Sequence, residues 1–204
     1  MPDNPSIPLF QIMTGYWGSQ ALHVVTRLGI ADLLQNGARS VPDLAAEKKV
    51  HGPTLYRVLR AVAALGVFAE RPDGKFENTP MSELLRSDVR GSLRAMVLMQ
   101  NADWHWKIYM DMMHAVRTGE TVAQRVLGAP VFEWFSKNPE EARTFDESMR
   151  GFSESVNPPI IEAYDFSGIR KLIDVGGGYG GLISGILKSR PEMKGAICDL
   201  PHVA

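Results

Sequence analysis

The chain has 204 residues, of which 45% are hydrophobic and 22% are charged, values typical of a globular protein with a sizeable core. Its formal net charge of −1 provides no overall attraction to nucleic acid or anionic membranes, and its single cysteine excludes an intramolecular disulfide. The first residues lack the basic start of a signal peptide, so we expect a cytoplasmic protein.

The N-terminal segment is predicted to be helical from about residue 9 to residue 35, because apolar residues recur there at helical spacing. We expect Gly15, Gly18 and Gly29 to divide it into two or three pieces. Residues 7–26 contain no Asp, Glu, Lys or Arg, but polar side chains are scattered among them. This composition favours a helix covered by a second copy of the chain over a membrane-spanning helix.

Residues 41–80 have the pattern of a winged helix. A short helix starting near Ser40 is followed by an amphipathic helix over 54–65, which Gly66 ends. Two short strands joined by an Asp-Gly turn follow over 67–78. Such a module can bind DNA, and the basic residues available for phosphate contacts are Lys48, Lys49, His51, Arg57 and Arg60. Acidic residues interrupt this surface, so we expect a packing module without nucleic-acid binding.

The middle of the chain is predicted to be helical over 81–119 and again after residue 130, with Pro139 interrupting the second segment. Methionine and tryptophan side chains are frequent here, and they can line a pocket for a flat ligand or simply form core. Pro158 and Pro159 are expected to stiffen a junction between two domains.

A glycine-rich run follows the strand predicted near residue 172. Gly176, Gly178 and Gly181 have the spacing of a dinucleotide-binding loop, while Gly176, Gly178 and Gly180 have the GxGxG spacing. An apolar helix comes next. The order of strand, tight turn and helix predicts a loop that a ligand can approach closely, because glycine has no Cβ.

Two acids complete this nucleotide-binding pattern. Asp199 ends a second predicted strand, where a carboxylate can accept hydrogen bonds from ribose hydroxyls. Asp174 precedes the glycines and suits a ligand with an ammonium and a sulfonium, such as S-adenosylmethionine, better than a diphosphate. The spacing alone leaves both kinds of nucleoside cofactor open.

Several segments share their pattern with one enzyme family. They are the cofactor motif at 172–180, the Asp-Leu-Pro-His-Val segment at 199–203, the helix and strand at 55–60 and 66–68, the helix at 106–119, and the F-x-x-x-M-x-x-x-S pattern of Phe145, Met149 and Ser153. From about residue 10 onward the chain resembles class I, S-adenosylmethionine-dependent small-molecule O-methyltransferases with an N-terminal winged-helix dimerisation domain. The caffeic-acid, hydroxyindole and bacterial natural-product enzymes are of this kind.

The resemblance implies a mainly helical dimerisation domain at 1–90, connecting helices that line a substrate pocket at 91–160, and the incomplete start of an α/β Rossmann-like domain at 161–204. It also implies roles for individual residues. Those expected to bind S-adenosylmethionine are Asp174, Gly176, Gly178, Gly180 and Asp199, and those expected to line the acceptor site are Phe145 and Met149.

The implied reaction is methyl transfer to a hydroxyl of a small aromatic or polyketide-like compound. No catalytic base is assigned, since His202, the only histidine of the nucleotide region, is expected to be a turn or surface residue; no metal is expected. Because the family's later strands and base have no counterpart here, we expect the chain alone to be inactive. It would then be a fragment or one subunit of a split enzyme in which a second chain supplies the missing half. The alternatives are a non-catalytic dimerisation partner of a full-length homologue and a family member with non-methylating chemistry.

Overall fold

The computed structural model describes residues 4–199, which are mostly helical. The helices in chain order are Ser6–Arg27 (α1), Ile30–Leu33 (α2), Val41–Lys48 (α3), Gly52–Ala64 (α4), Pro80–Glu83 (α5), Arg94–Gln100 (α6), Asp103–Met110 (α7), Met112–Thr118 (α8), Val122–Leu127 (α9), Val131–Lys137 (α10), Pro139–Ala163 (α11) and Gly181–Ser189 (α12). The strands are Phe68–Glu70 (β1), Phe76–Asn78 (β2), Lys171–Val175 (β3) and Lys194–Cys198 (β4). The expected fold class, a helical domain followed by the start of an α/β unit, is confirmed.

Helix α1 is continuous through two glycines, so the breaks expected at Gly15 and Gly18 are wrong. Only Gly29, at a φ of 66°, separates α1 from α2. A helical glycine costs about 1 kcal/mol relative to alanine, which a long helix with tertiary contacts tolerates. At Gly18 the reason is local, because a Cβ there would lie 2.9 Å from Cδ1 of Leu65. The glycine lets the end of α4 approach α1.

The N-terminal core joins the first four helices to a two-stranded hairpin. Strand β1 pairs antiparallel with β2, and Arg39 forms a further bridge to Phe76. Helix α3 begins as expected after Ser40, whose hydroxyl accepts a hydrogen bond from the N–H of Asp43. The fully buried large side chains of this core are Val25, Ile30, Leu44, Leu59, Val62, Phe68 and Phe76. Two helices and a hairpin are present, while their assignment as a winged helix stays a prediction.

The central helices differ from the expected long segments. Residues 84–93 are not helical, so the continuous pattern over 81–119 is wrong there. Helix α11 begins at Pro139 as expected, but it continues through Pro158 and Pro159 to Ala163. The two prolines therefore do not end the helix, and their place at a junction between domains stays a prediction. The residues on either side of the prolines, Asn157 and Ile161, lie against α12, and this packing offsets the backbone hydrogen bonds that proline cannot donate.

The last unit is a βαβ arrangement in which β3 and β4 lie parallel and α12 connects them. Its apolar cluster is formed by Phe166, Ile186 and Met193, with Ile161 of α11 packed against it. The residues after Asp199, including His202 and most of the Asp-Leu-Pro-His-Val segment, lie outside the described range. Within that range, no helix combines the length and apolarity needed to cross a membrane. The domain boundaries stay a prediction.

Candidate cofactor site

The parallel register brings the ends of β3 and β4 together. Val175 lies opposite Cys198, and the N–H of Gly176 donates to the carbonyl of Cys198 at 2.8 Å. Asp199 therefore follows β4 at the same edge from which the glycine loop leaves β3. Its Oδ2 accepts a hydrogen bond from the N–H of Gly178 at 2.7 Å. This edge, at the carboxyl ends of parallel strands, is where α/β sheets bind ligands.

The glycine loop has the backbone that only glycine adopts easily. Gly176, Gly178 and Gly180 have φ values of 73°, 53° and 73°, all in the left-handed region. Gly180 also sits close to β4, because a Cβ there would lie 2.5 Å from Cδ1 of Ile197. The loop is thus pressed against β4, and Gly180 then forms the N-cap of α12 without any side-chain cap.

Helix α11 supplies the opposite wall. Phe145, Met149 and Ser153 recur every four residues and so share one side of the helix. Phe145 packs on Phe135 with ring centroids 4.9 Å apart and on Phe132 at 6.0 Å. These rings extend the buried cluster around Trp104, which makes the wall rigid and aromatic.

A cleft of about 540 Å³ lies between the two walls. Its lining residues are Phe132, Phe135, Ala142, Phe145, Asp146, Met149, Arg150, Ser153, Gly176, Gly177, Gly178, Tyr179, Gly181 and Asp199. The volume falls within the range of small-molecule sites. The cleft combines the two predicted acceptor residues with Gly176, Gly178 and Asp199 of the predicted cofactor set.

Two predicted residues lie beside the cleft and do not line it. Gly180 is buried beneath the loop against Ile197. The Asp174 side chain packs under the loop, since a Cβ on Gly177 would lie 2.7 Å from its Cγ. Asp174 lines a separate apolar cavity of about 340 Å³ between β3 and the end of α11. It supports the loop from behind, and its assignment as a direct ligand of the cofactor stays a prediction.

The charged groups at the cleft are two carboxylates, Asp146 and Asp199, and one exposed guanidinium, Arg150. Among the described residues, no histidine lines the cleft, and none of their His, Cys, Asp and Glu side chains form a group of three able to hold a metal ion. Asp199 already accepts the N–H of Gly178, so a diphosphate at this point of the loop would meet a carboxylate.

Comparison with known proteins identifies the family. A model described as the O-methyltransferase domain matches residues 109–204, and a model described as the O-methyltransferase dimerisation domain matches residues 10–88. The chain belongs to this O-methyltransferase family. The expected resemblance is thereby confirmed.

Individual relatives agree with this assignment. Phenazine O-methyltransferase PhzM of Lysobacter antibioticus is 41% identical over 96% of this chain and 57% of its own length. The crystal structure of LaPhzM superposes with a TM-score of 0.93 at 41% identity, covering 98% of this chain and 60% of that one. CalO1, a methyltransferase in calicheamicin biosynthesis solved in its SAH-bound form, gives a TM-score of 0.84 at 29% identity, covering 98% of this chain and 60% of that one.

The chain spans little more than half the length of the curated relatives it matches. S-adenosylmethionine is the cofactor of the family, in agreement with the expectation from Asp174 and the family resemblance.

Sequence reasoning did not assign several residues that the fold brings to the cleft. Ser153 belongs to the recognised helix pattern but received no role, and Arg150 lies one residue after Met149 on the same helix. Phe132 and Phe135 reach the site from α10, a placement that no local pattern reveals. Extending the four-residue spacing along α11 from Phe145 and Met149 would have identified Ser153.

Proposed function

We propose that this chain provides the dimerisation domain and one side of the active site of an S-adenosylmethionine-dependent O-methyltransferase. The acceptor is a hydroxyl of a small aromatic or polyketide-like compound. The observation that carries the proposal is the single cleft in which the glycine loop and Asp199 face the aromatic wall of α11. Cofactor-binding and acceptor-binding residues then lie within one cavity, as transfer between two bound molecules requires.

The loop residues fit this cofactor. Gly176, Gly177 and Gly178 line the cleft without side chains, so a nucleoside can approach their backbone closely. Asp199 offers a half-buried carboxylate, suited to accept hydrogen bonds from two ribose hydroxyls. A cofactor that carries a sulfonium and an ammonium is favoured over a diphosphate beside the Asp146 and Asp199 carboxylates.

The α11 wall fits a flat acceptor. Phe145 and Met149 present an aromatic ring and a flexible thioether, which together exclude water and adapt to the shape of an aromatic ligand. When bound, the cofactor supplies an electrophilic methyl group. The role of Phe145 and Met149 is to hold the hydroxyl oxygen in line with it. The residue that removes the hydroxyl proton is not assigned.

Isothermal titration calorimetry of the chain with S-adenosylhomocysteine tests the cofactor proposal. We expect one site per chain, and we expect Asp199→Asn to weaken binding about tenfold, because it removes a charged hydrogen-bond acceptor. The control Asp73→Asn alters a carboxylate in the exposed hairpin turn and should leave the affinity unchanged. Binding of NAD and not of S-adenosylhomocysteine would refute the proposal. Failure to bind either nucleoside would favour a non-catalytic dimerisation partner.

We further propose that the chain forms a homodimer through α1. The helix exposes a series of large apolar side chains, namely Ile7, Leu9, Phe10, Ile12, Met13, Tyr16 and Trp17. Exposed apolar surface of this extent on one helix is typical of a protein–protein interface. A second copy of the chain can cover this surface through a symmetric contact between the two α1 helices. Light scattering after size exclusion should give twice the chain mass, and Phe10→Glu with Trp17→Glu should give a monomer. A monomeric wild-type chain contradicts this proposal.

A further inference from the structure

The start of α12 is rich in hydrogen-bond donors. An α-helix leaves the N–H groups of its first turn without acceptors inside the helix, and here the N-cap is Gly180, which has no side chain to accept from them. The first helical bond that reaches back to the cap runs from the N–H of Ser184 to the carbonyl of Gly180 at 2.9 Å. The nine-residue helix also places its positive dipole end at this point.

A second donor lies beside this turn. Asn157 of α11 is only 7% exposed, and its Nδ2 is buried without a hydrogen-bond partner among the described residues. A Cβ built on Gly181 would lie 3.6 Å from this Nδ2 and 3.7 Å from Cβ of Ser153. The amide is therefore directed at the first residue of α12, next to the part of the cleft that Ser153 and Gly181 line.

An unpaired buried amide is costly, so such groups are found with partners or at sites where a partner binds. The backbone N–H groups at the start of α12 and Nδ2 of Asn157 are all hydrogen-bond donors, and this end of the helix dipole is positive. The complementary partner is therefore an anion. The cofactor proposed for the cleft carries one anionic group, the carboxylate of its amino-acid part. Asp199 accepts from Gly178 within the same loop, so the donors near Gly181 are a separate subsite.

We propose that Asn157 binds the carboxylate of the cofactor's amino-acid part, together with the backbone N–H groups at the start of α12. The inference rests on the proposed function, because it assigns one residue to that same site. Asn157 continues the spacing of Met149 and Ser153 along α11. One face of α11 thus serves both ligands, the acceptor at its N-terminal part and the cofactor carboxylate at Asn157.

Two ligands separate this role from a general effect on the site. S-adenosylhomocysteine contains the amino-acid part, whereas 5′-methylthioadenosine shares the adenosine and thioether but lacks it. Calorimetry with the full chain should show that Asn157→Leu lowers the affinity for S-adenosylhomocysteine about tenfold and leaves the affinity for methylthioadenosine unchanged. Asn157→Ala should have the same selective effect on affinity, and it replaces the leucine variant in the test if that variant does not fold. The control Asn36→Leu, at an exposed position after α2, should change neither of the two affinities.

The outcomes are distinct. Equal weakening of both ligands, or no change in S-adenosylhomocysteine binding with either variant, overturns the role of Asn157 while the cofactor proposal stands. Failure of the wild-type chain to bind either ligand refutes the cofactor proposal, and the carboxylate subsite with it. A selective loss for the ligand with the carboxylate supports the inference, since a merely structural residue would not discriminate between the two.

Discussion

Replacing Gly180 by alanine tests whether the loop is built as a close approach of the glycine backbone to β4. Alanine at a φ of 73° costs about 1–2 kcal/mol from the left-handed backbone alone. The new Cβ would also lie 2.5 Å from Cδ1 of Ile197, a distance at which one group must move. Cδ1 is the end of a flexible side chain that is 43% exposed, so it can rotate away at an off-rotamer cost of about 0.5–1.5 kcal/mol, and we expect a total loss of about 1.5–3.5 kcal/mol.

Hydrogen exchange of the β3 and β4 amides measures this locally, through the free energy of opening of the βαβ unit. Gly178→Ala is the matched control. Gly178 has a φ of 53°, and a Cβ there would meet no atom within 4 Å. This variant should therefore lose only the stability that the left-handed backbone costs an alanine.

The steric part is isolated with Ile197→Val, which deletes the Cδ1 that the new Cβ would meet. In the double variant with Gly180→Ala, we expect the loss to fall to that of Gly178→Ala, a coupling of about 0.5–1.5 kcal/mol. If Gly180→Ala is no worse than Gly178→Ala and Ile197→Val does not rescue it, the close approach of loop and β4 is refuted.

Two further predictions concern arginine side chains in and beside the 84–93 segment. Nη1 of Arg94 donates a hydrogen bond to the carbonyl of Thr26 at 3.0 Å. Arg94→Met should therefore lower the free energy of unfolding, measured by urea titration, by about 1–2 kcal/mol. The control Arg90→Met, at an exposed position, should not change it measurably. Hydrogen bonds from Arg86 lower the pKa of Asp88 below its ordinary value of 3.8. Because the folded pKa is the lower one, this stabilisation is present above pH 3.8 and is lost as the pH falls through the folded pKa. Urea midpoints of wild type and Arg86→Met should therefore differ at neutral pH and converge in acid; a constant difference would contradict the reasoning.

The elements that the sequence predicted correctly are those with strong local signals. Strand β3, the glycine turn and α12 follow from an apolar strand, three glycines and an apolar helix in succession. The start of α3 after Ser40 follows from capping chemistry, and the break between α10 and α11 follows from Pro139, which has no N–H to continue a helix; both effects act within one turn.

The errors occurred where tertiary contacts outweigh local preference. Gly18 reads as a helix break, but it is the place where Leu65 approaches α1. Pro158 and Pro159 locally favour a helix break, but α11 continues through them, and their neighbours Asn157 and Ile161 lie against α12. Local propensity contributes only about 1 kcal/mol at a glycine and about 3 kcal/mol at a proline, which packing of a long helix can offset.

The site could be predicted only in part for the same reason. Asp199 and the glycines lie on adjacent strands, so the βαβ pattern was enough to bring them together. The position of Phe145 and Met149 opposite the loop was implied by family resemblance alone. The side chain of Asp174 lies close to Gly177, and its expected role as a ligand of the cofactor stays a prediction. The unpaired amide of Asn157 could not be foreseen, because whether a donor finds an acceptor depends on the whole fold.

Helix α11 links the dimerisation half of the chain to the cofactor loop. It packs on α6, which in turn packs on α1, and at its other end it packs on α12. Gly151 allows this, since a Cβ there would lie 2.5 Å from the carbonyl oxygen of Ser92, a backbone atom that cannot yield as a side chain does. Glu154 fastens the same contact by accepting the N–H of Gly91 at 2.9 Å. The 84–93 segment therefore helps to fix the position of α11, through residues that do not line the cleft.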